Sequence, residues 1–155
     1  AGGYRVPEAT SVINEAWGSM SILPDWEEYA SASEATLNFE QYYIATANRF
    51  PDMVMSQYNT ANDATQYTFL SILGMTDVSL QELIDANIAD IREGGEDPDP
   101  FTTYLAGGSL HTILRLPQFY EFEVDGVRVR DWVAALAAGE STADVTCTEC
   151  ASDPE

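Results

Sequence analysis

Lysine is absent from this sequence, and its six basic residues, all arginine, face 26 acidic ones for a formal net charge of −20. Phosphate binding requires clustered cations, so nucleic acid is excluded as a partner. Anionic membrane surfaces are excluded on the same electrostatic ground. No run approaches the ~18 apolar residues that a membrane span needs. No basic segment followed by an apolar stretch opens the chain in the manner of a secretory signal. That lack does not argue for cytoplasmic residence, because the sequence begins at Ala1 without a methionine and an upstream segment is expected.

Cysteine is nearly as scarce. Cys147 and Cys150 form CTEC near the end of the chain, and a zinc site would need two further ligands that one histidine cannot supply. A disulfide is expected, either between the two or with partners in a missing segment. Histidine occurs once, as His111. Proton-transfer chemistry near neutral pH therefore has a single imidazole available to it.

What is present describes one domain or part of one. The 155 residues are 45% hydrophobic, enough for a core and too apolar for disorder by composition. The dense carboxylate surface keeps a protein soluble where salt screens its self-repulsion, which predicts a saline or marine source; a bacterial one is expected.

His111 follows Phe101–Leu105, an aromatic and β-branched run that reads as a strand, and Gly107-Gly108, which reads as a sharp turn. Ahead of it, Pro7 suits the first turn of a helix over which Val6, Ile13, Ala16 and Trp17 fall at helical spacing, and Gly18 to Pro24 breaks that helix. Phe39, Tyr42, Tyr43 and Ala47 predict a second helix near Leu37–Asn48. Asp52–Tyr58 reads as a buried strand with an apolar body, and Asn59–Asp63 as the loop at its end. A third helix is expected over Ala64–Leu73, closed by Gly74. A capping box, Ser79 to Glu82, opens a fourth helix that runs to about Arg92. Leu80, Leu83, Ile84, Ile88 and Ile91 give it a stripe for packing on a sheet. The acidic run at 96–100 is an expected exposed turn. Asp125-Gly126 between Phe122–Val124 and Val127–Val129 is a two-residue hairpin signal, and Asp131–Ala138 is a last amphipathic helix stopped by Gly139.

Strands alternating with helices predict an α/β fold, a mostly parallel sheet flanked by helices. In open α/β sheets the reactive groups lie beyond the carboxyl ends of the strands, where both Asp63 and His111 are expected. Acid first and histidine later is the order in which these two members of an α/β-hydrolase triad follow the serine.

Three motifs carry a resemblance. Ala1-Gly2-Gly3 resembles the tail of a G-x-S-A-G-G nucleophile elbow, Asn62-Asp63-Ala64-Thr65-Gln66 a D-x-x-Q segment, and Gly108-Ser109-Leu110-His111-Thr112 with Val124-Asp125-Gly126 and Asp131-Trp132-Val133 a terminal histidine block. Occurring in this order, they resemble the pectin acetylesterase family, which includes the Notum-type carboxylesterases. The likeness spans most of Ala1–Cys147 and is loose over Gly18–Asn48.

The resemblance implies that residues 1–146 are the C-terminal part of an α/β-hydrolase domain, followed by a cysteine-containing acidic tail over 147–155. It implies a secreted or extracytoplasmic serine carboxylesterase acting on an ester such as an acetylated polysaccharide, with Asp63 as triad acid, His111 as general base and the Ala1 N–H in the oxyanion hole. The sequence departs from the family in having no serine at the elbow. The nucleophile is expected immediately before Ala1, in a missing N-terminal half that would be this chain's partner, and the chain alone is expected to be inactive. Ser109 stands too close to His111 in sequence to be that nucleophile and is expected to be a turn residue. No metal or organic cofactor is implied. Asp63 could instead only cap the helix that follows, and Gln66 could orient the loop or face solvent. The alternative from another class is a non-catalytic acidic carbohydrate-binding module, with Trp17, Trp26, Tyr42 and Tyr43 as exposed stacking platforms.

Overall fold

The computed structural model describes residues 3–6, 9–95 and 101–153. Pro7, Ala1 and the acidic run at 96–100 lie outside them. A parallel sheet of three strands, in the order β1-β2-β5, forms the centre. Its strands are β1 (Met55–Thr60), β2 (Phe101–Ala106) and β5 (Val145–Thr146). β1 and β2 run in register from Met55 beside Phe101 to Thr60 beside Ala106. The fold is thus mixed helix and strand, with a parallel sheet flanked by helices.

Alternation along β2 sorts the core into two layers. Tyr104 and Ala106 point to one side, where they pack with Val129 and Trp132 of helix α6 (Val129–Ala137) and with the hairpin of β3 (Glu123–Val124) and β4 (Val127–Arg128). Leu105 points to the other side, against Leu70 of α3 (Ala64–Ile72) and Leu80 and Ile84 of α4 (Leu80–Gly94). The α4 stripe packs as its periodicity predicts, and Ser79 Oγ accepts the Glu82 N–H at 3.3 Å, which is the serine half of the capping box. Asp125 and Gly126 both have positive φ, 50° and 81°, the geometry of the hairpin turn expected there.

Two expectations are corrected and two features are added. The first strand begins later than Asp52 and ends at Thr60, with Met53 and Val54 exposed. Its buried residues are polar, Gln57 and Asn59 on one face and Thr60 on the other. They are met by polar partners rather than by apolar ones: Gln57 Nε2 donates to Asn87 Oδ1 at 3.1 Å, and Asn87 Nδ2 to Glu40 Oε1 at 2.9 Å. The first helix, α1 (Thr10–Trp17), buries Thr10 and Asn14 and leaves Trp17 70% exposed. Asn14 belongs inside because its amide caps the carbonyls of Glu34 and Leu37. β5 has no counterpart in the sequence reading, since two residues carry no period of their own. The described part of the terminal segment, residues 147–153, bonds to β2 and to the turn beyond it. Cys147 N–H donates to the Leu105 carbonyl at 3.0 Å, which continues the sheet.

Helix α2 (Phe39–Arg49) packs on α4, with Ala45 and Leu37 in a satellite core. A single helical turn, α5 (Gln118–Glu121), precedes the hairpin. No helix among the described residues is long and apolar enough to cross a membrane.

Candidate active site

Two adjacent parallel strands deliver the site. β1 ends at Thr60 and the chain turns through Ala61 and Asn62 to Asp63; β2 ends at Ala106 and turns through Gly107-Gly108 to His111. The two turns are laced together by their backbones. Ala61 N–H donates to the Ala106 carbonyl at 2.9 Å, Asn62 N–H to the Gly108 carbonyl at 3.0 Å, and Ala64 N–H to the Ser109 carbonyl at 3.1 Å. These bonds extend the ladder past the strands and bring Asp63 and His111 together: His111 Nδ1 lies 2.8 Å from Asp63 Oδ2.

Asp63 caps the helix that follows and also faces the histidine. Oδ1 accepts the N–H groups of Thr65 and Gln66 at 2.9 and 3.0 Å, so it caps α3. Oδ2 accepts Gln66 Nε2 at 3.1 Å and faces His111. The carboxylate is 1% exposed and stands at the positive end of the α3 dipole, held by donors on both oxygens. Gln66, 2% exposed, orients the aspartate and does not face solvent; no described residue bonds its Oε1.

His111 is one-third exposed, and no described residue bonds its Nε2. With Nδ1–H donated to Asp63, the lone pair of the imidazole stands on Nε2. Thr112 follows it at φ 56°, a left-handed conformation unfavourable for a β-branched residue. A groove of about 600 Å³ beside it is lined by Tyr58, Thr112, Ile113, Leu114 and Trp132.

Two tyrosines missed by the sequence reading sense the aspartate. Burial raises the Tyr4 hydroxyl above its usual pKa, and the Asp63 charge pushes the same way. The Tyr58 hydroxyl is raised chiefly by burial, with Asp153 and Asp63 adding to it. Neither has a local motif that could have announced it. Ser109 is exposed in the turn, its carbonyl and N–H both engaged by backbone and carboxylate partners.

Cys147 and Cys150 are bonded to each other. Among the described residues no group of three His, Cys, Asp or Glu side chains converges on a metal position. Of the four aromatics considered as platforms, Trp26 stacks on Tyr29 and meets Phe50 edge-on, Tyr42 tilts against Tyr29 and Tyr43 meets Phe101 edge-on. Trp17 alone of the four stands exposed. No family model, curated protein or solved structure matches the chain.

Proposed function

We propose that this chain is the C-terminal part of an α/β-hydrolase of pectin acetylesterase type, a serine carboxylesterase to which it contributes the triad acid and histidine. The observation that carries the reading is the 2.8 Å contact between Asp63 Oδ2 and His111 Nδ1 at the carboxyl ends of neighbouring parallel strands. The partly exposed imidazole and the backbone held at positive φ beside it support a reactive histidine over a structural one.

In this reading a serine just ahead of Ala1 attacks the ester carbonyl, and His111 Nε2 takes its proton. The tetrahedral oxyanion forms against backbone N–H groups that include Ala1. Collapse breaks the ester C–O bond, and His111 returns the proton to the departing alkoxide, which leaves as the alcohol. Water then enters by the same base, and the serine leaves from the acyl carbon as the carboxylic acid is released. Asp63 keeps the Nδ1–H tautomer and stabilises the imidazolium. An extracytoplasmic setting is supported by the disulfide, and a saline one by the acidic surface.

The test is hydrolysis of a short-chain aryl ester by the full-length protein. His111→Ala and Asp63→Asn are each expected to lower kcat by about 10⁴. Full activity in His111→Ala overturns the proposal and leaves a binding role for the chain.

A further inference from the structure

A single carbonyl ties both loops of the candidate site to the disulfide. The Cys150 oxygen accepts Asn62 Nδ2 at 2.8 Å and Gly108 N–H at 3.0 Å. Asn62 immediately precedes Asp63, and Gly108 lies in the turn before His111. The same segment reaches the histidine loop again further on, where Asp153 Oδ1 accepts the Ser109 N–H at 3.2 Å. Its approach is so close that a Cβ at Gly107 would run into the Ser152 carbonyl, and one at Gly108 into the Asp153 carboxylate. The glycine pair therefore does more than turn the chain: it makes room for the terminal segment. That segment is pinned to the sheet at Cys147, and the Cys147–Cys150 bond closes the turn that aims the Cys150 carbonyl.

We propose that the Cys147–Cys150 turn is a redox-sensitive clamp on the Asp63–His111 pair, with Asn62 as the positioning residue that transmits it. The consequence for catalysis rests on the esterase reading; the clamp itself does not. A dithiol reductant supplies two electrons and two protons, the S–S bond becomes two thiols, and the dithiol is oxidised to its own disulfide. Both cysteines are only partly buried, so such a reductant has access. Opening the turn frees the Cys150 carbonyl, and the two loops lose the acceptor they share. Asp63 stays capped on α3 while the His111 loop gains freedom, so the pair spends less time within hydrogen-bond distance.

Because His111 is the only histidine, its imidazole gives one set of resonances, and solvent exchange of the Nδ1–H proton reports the contact with Asp63 in the chain itself. Dithiothreitol reduction is expected to speed that exchange by about tenfold, the fold-change of one lost hydrogen bond, and reoxidation should restore it. Asn62→Ala, which leaves the disulfide in place, should speed it in the same direction, with the Tyr104 amide unchanged in both cases. An Nδ1–H exchange rate indifferent to reduction and to Asn62→Ala overturns the clamp while leaving the pair intact. Equal acceleration at Tyr104 also overturns it, since the bond would then staple the whole fold. An Nδ1–H signal that persists in Asp63→Asn with its exchange unchanged overturns the pairing first and the clamp with it.

Discussion

Asp63 holds two jobs on two oxygens, and substitution can separate them. Asparagine is as good a helix cap as aspartate, so Asp63→Asn keeps an acceptor for the Thr65 and Gln66 N–H groups. Alanine removes the cap and leaves Gln66 Nε2 and His111 Nδ1 facing nothing. Urea unfolding should find Asp63→Ala destabilised by about 2 kcal/mol or more, from a cap worth about 1 kcal/mol and buried donors left unpaired. Asp63→Asn keeps the cap but not the acceptor on its second oxygen, so it should be less destabilised than Asp63→Ala by about 1 kcal/mol. Equal destabilisation of the two variants would show that capping is not what the residue contributes.

The elements around β1 are joined by a polar chain, from Glu40 on α2 through Asn87 on α4 to Gln57 and Asn59 on the strand, the last link being Asn59 Nδ2 to Gln57 Oε1 at 3.2 Å. Asn87 is fully buried and is bonded to both neighbours, so α2, α4 and the strand that leads to Asp63 share one side chain. The chain is also tight against Gly3, where a Cβ would lie 3.0 Å from the Asn87 amide. Asn87→Leu takes from Glu40 Oε1 and Gln57 Nε2 the partner that each has in Asn87, and is expected to cost about 2–4 kcal/mol, from two buried polar groups left short of a bond at about 1–3 kcal/mol each. Thermal or urea unfolding checks it. A loss below about 1 kcal/mol would mean that the ladder does not hold α4 to the sheet.

Across the whole molecule, pH and salt read out two different features. Burial holds the hydroxyls of Tyr4, Tyr29, Tyr43, Tyr58 and Tyr104 above the ordinary phenol range, Tyr104 most of all, with its hydroxyl donated to the Val127 carbonyl at 2.7 Å. Each folded phenol therefore keeps its proton at a pH where the unfolded chain has released it. Stability from this source is complete below about pH 10, the unfolded value, and falls as pH rises through the folded values. Urea midpoints should hold from this source up to about pH 10 and fall above it; a flat profile there would contradict the burial. The net charge of −20 acts at neutral pH, where added sodium chloride should raise the Tm by screening repulsion among carboxylates. A Tm unmoved by salt would show that the charges lie too far apart to matter.

Local order was legible because its signals are local. The α4 stripe, the Ser79 cap, the Asp125-Gly126 turn and the positions of Asp63 and His111 beyond strand ends all depend on residues a few places apart. The sequence by itself determined that an acid and the only imidazole would each follow a strand. The tertiary structure alone decided that β1 and β2 are neighbours, with backbone bonds continuing past the strands to set the 2.8 Å contact. It also decided that the inward face of β1 is polar and that Cys150 touches both loops. Such pairings join residues distant along the chain, and amides that satisfy one another inside a core have no period or motif to mark them. They exist only once packing excludes water and every buried donor must find its acceptor.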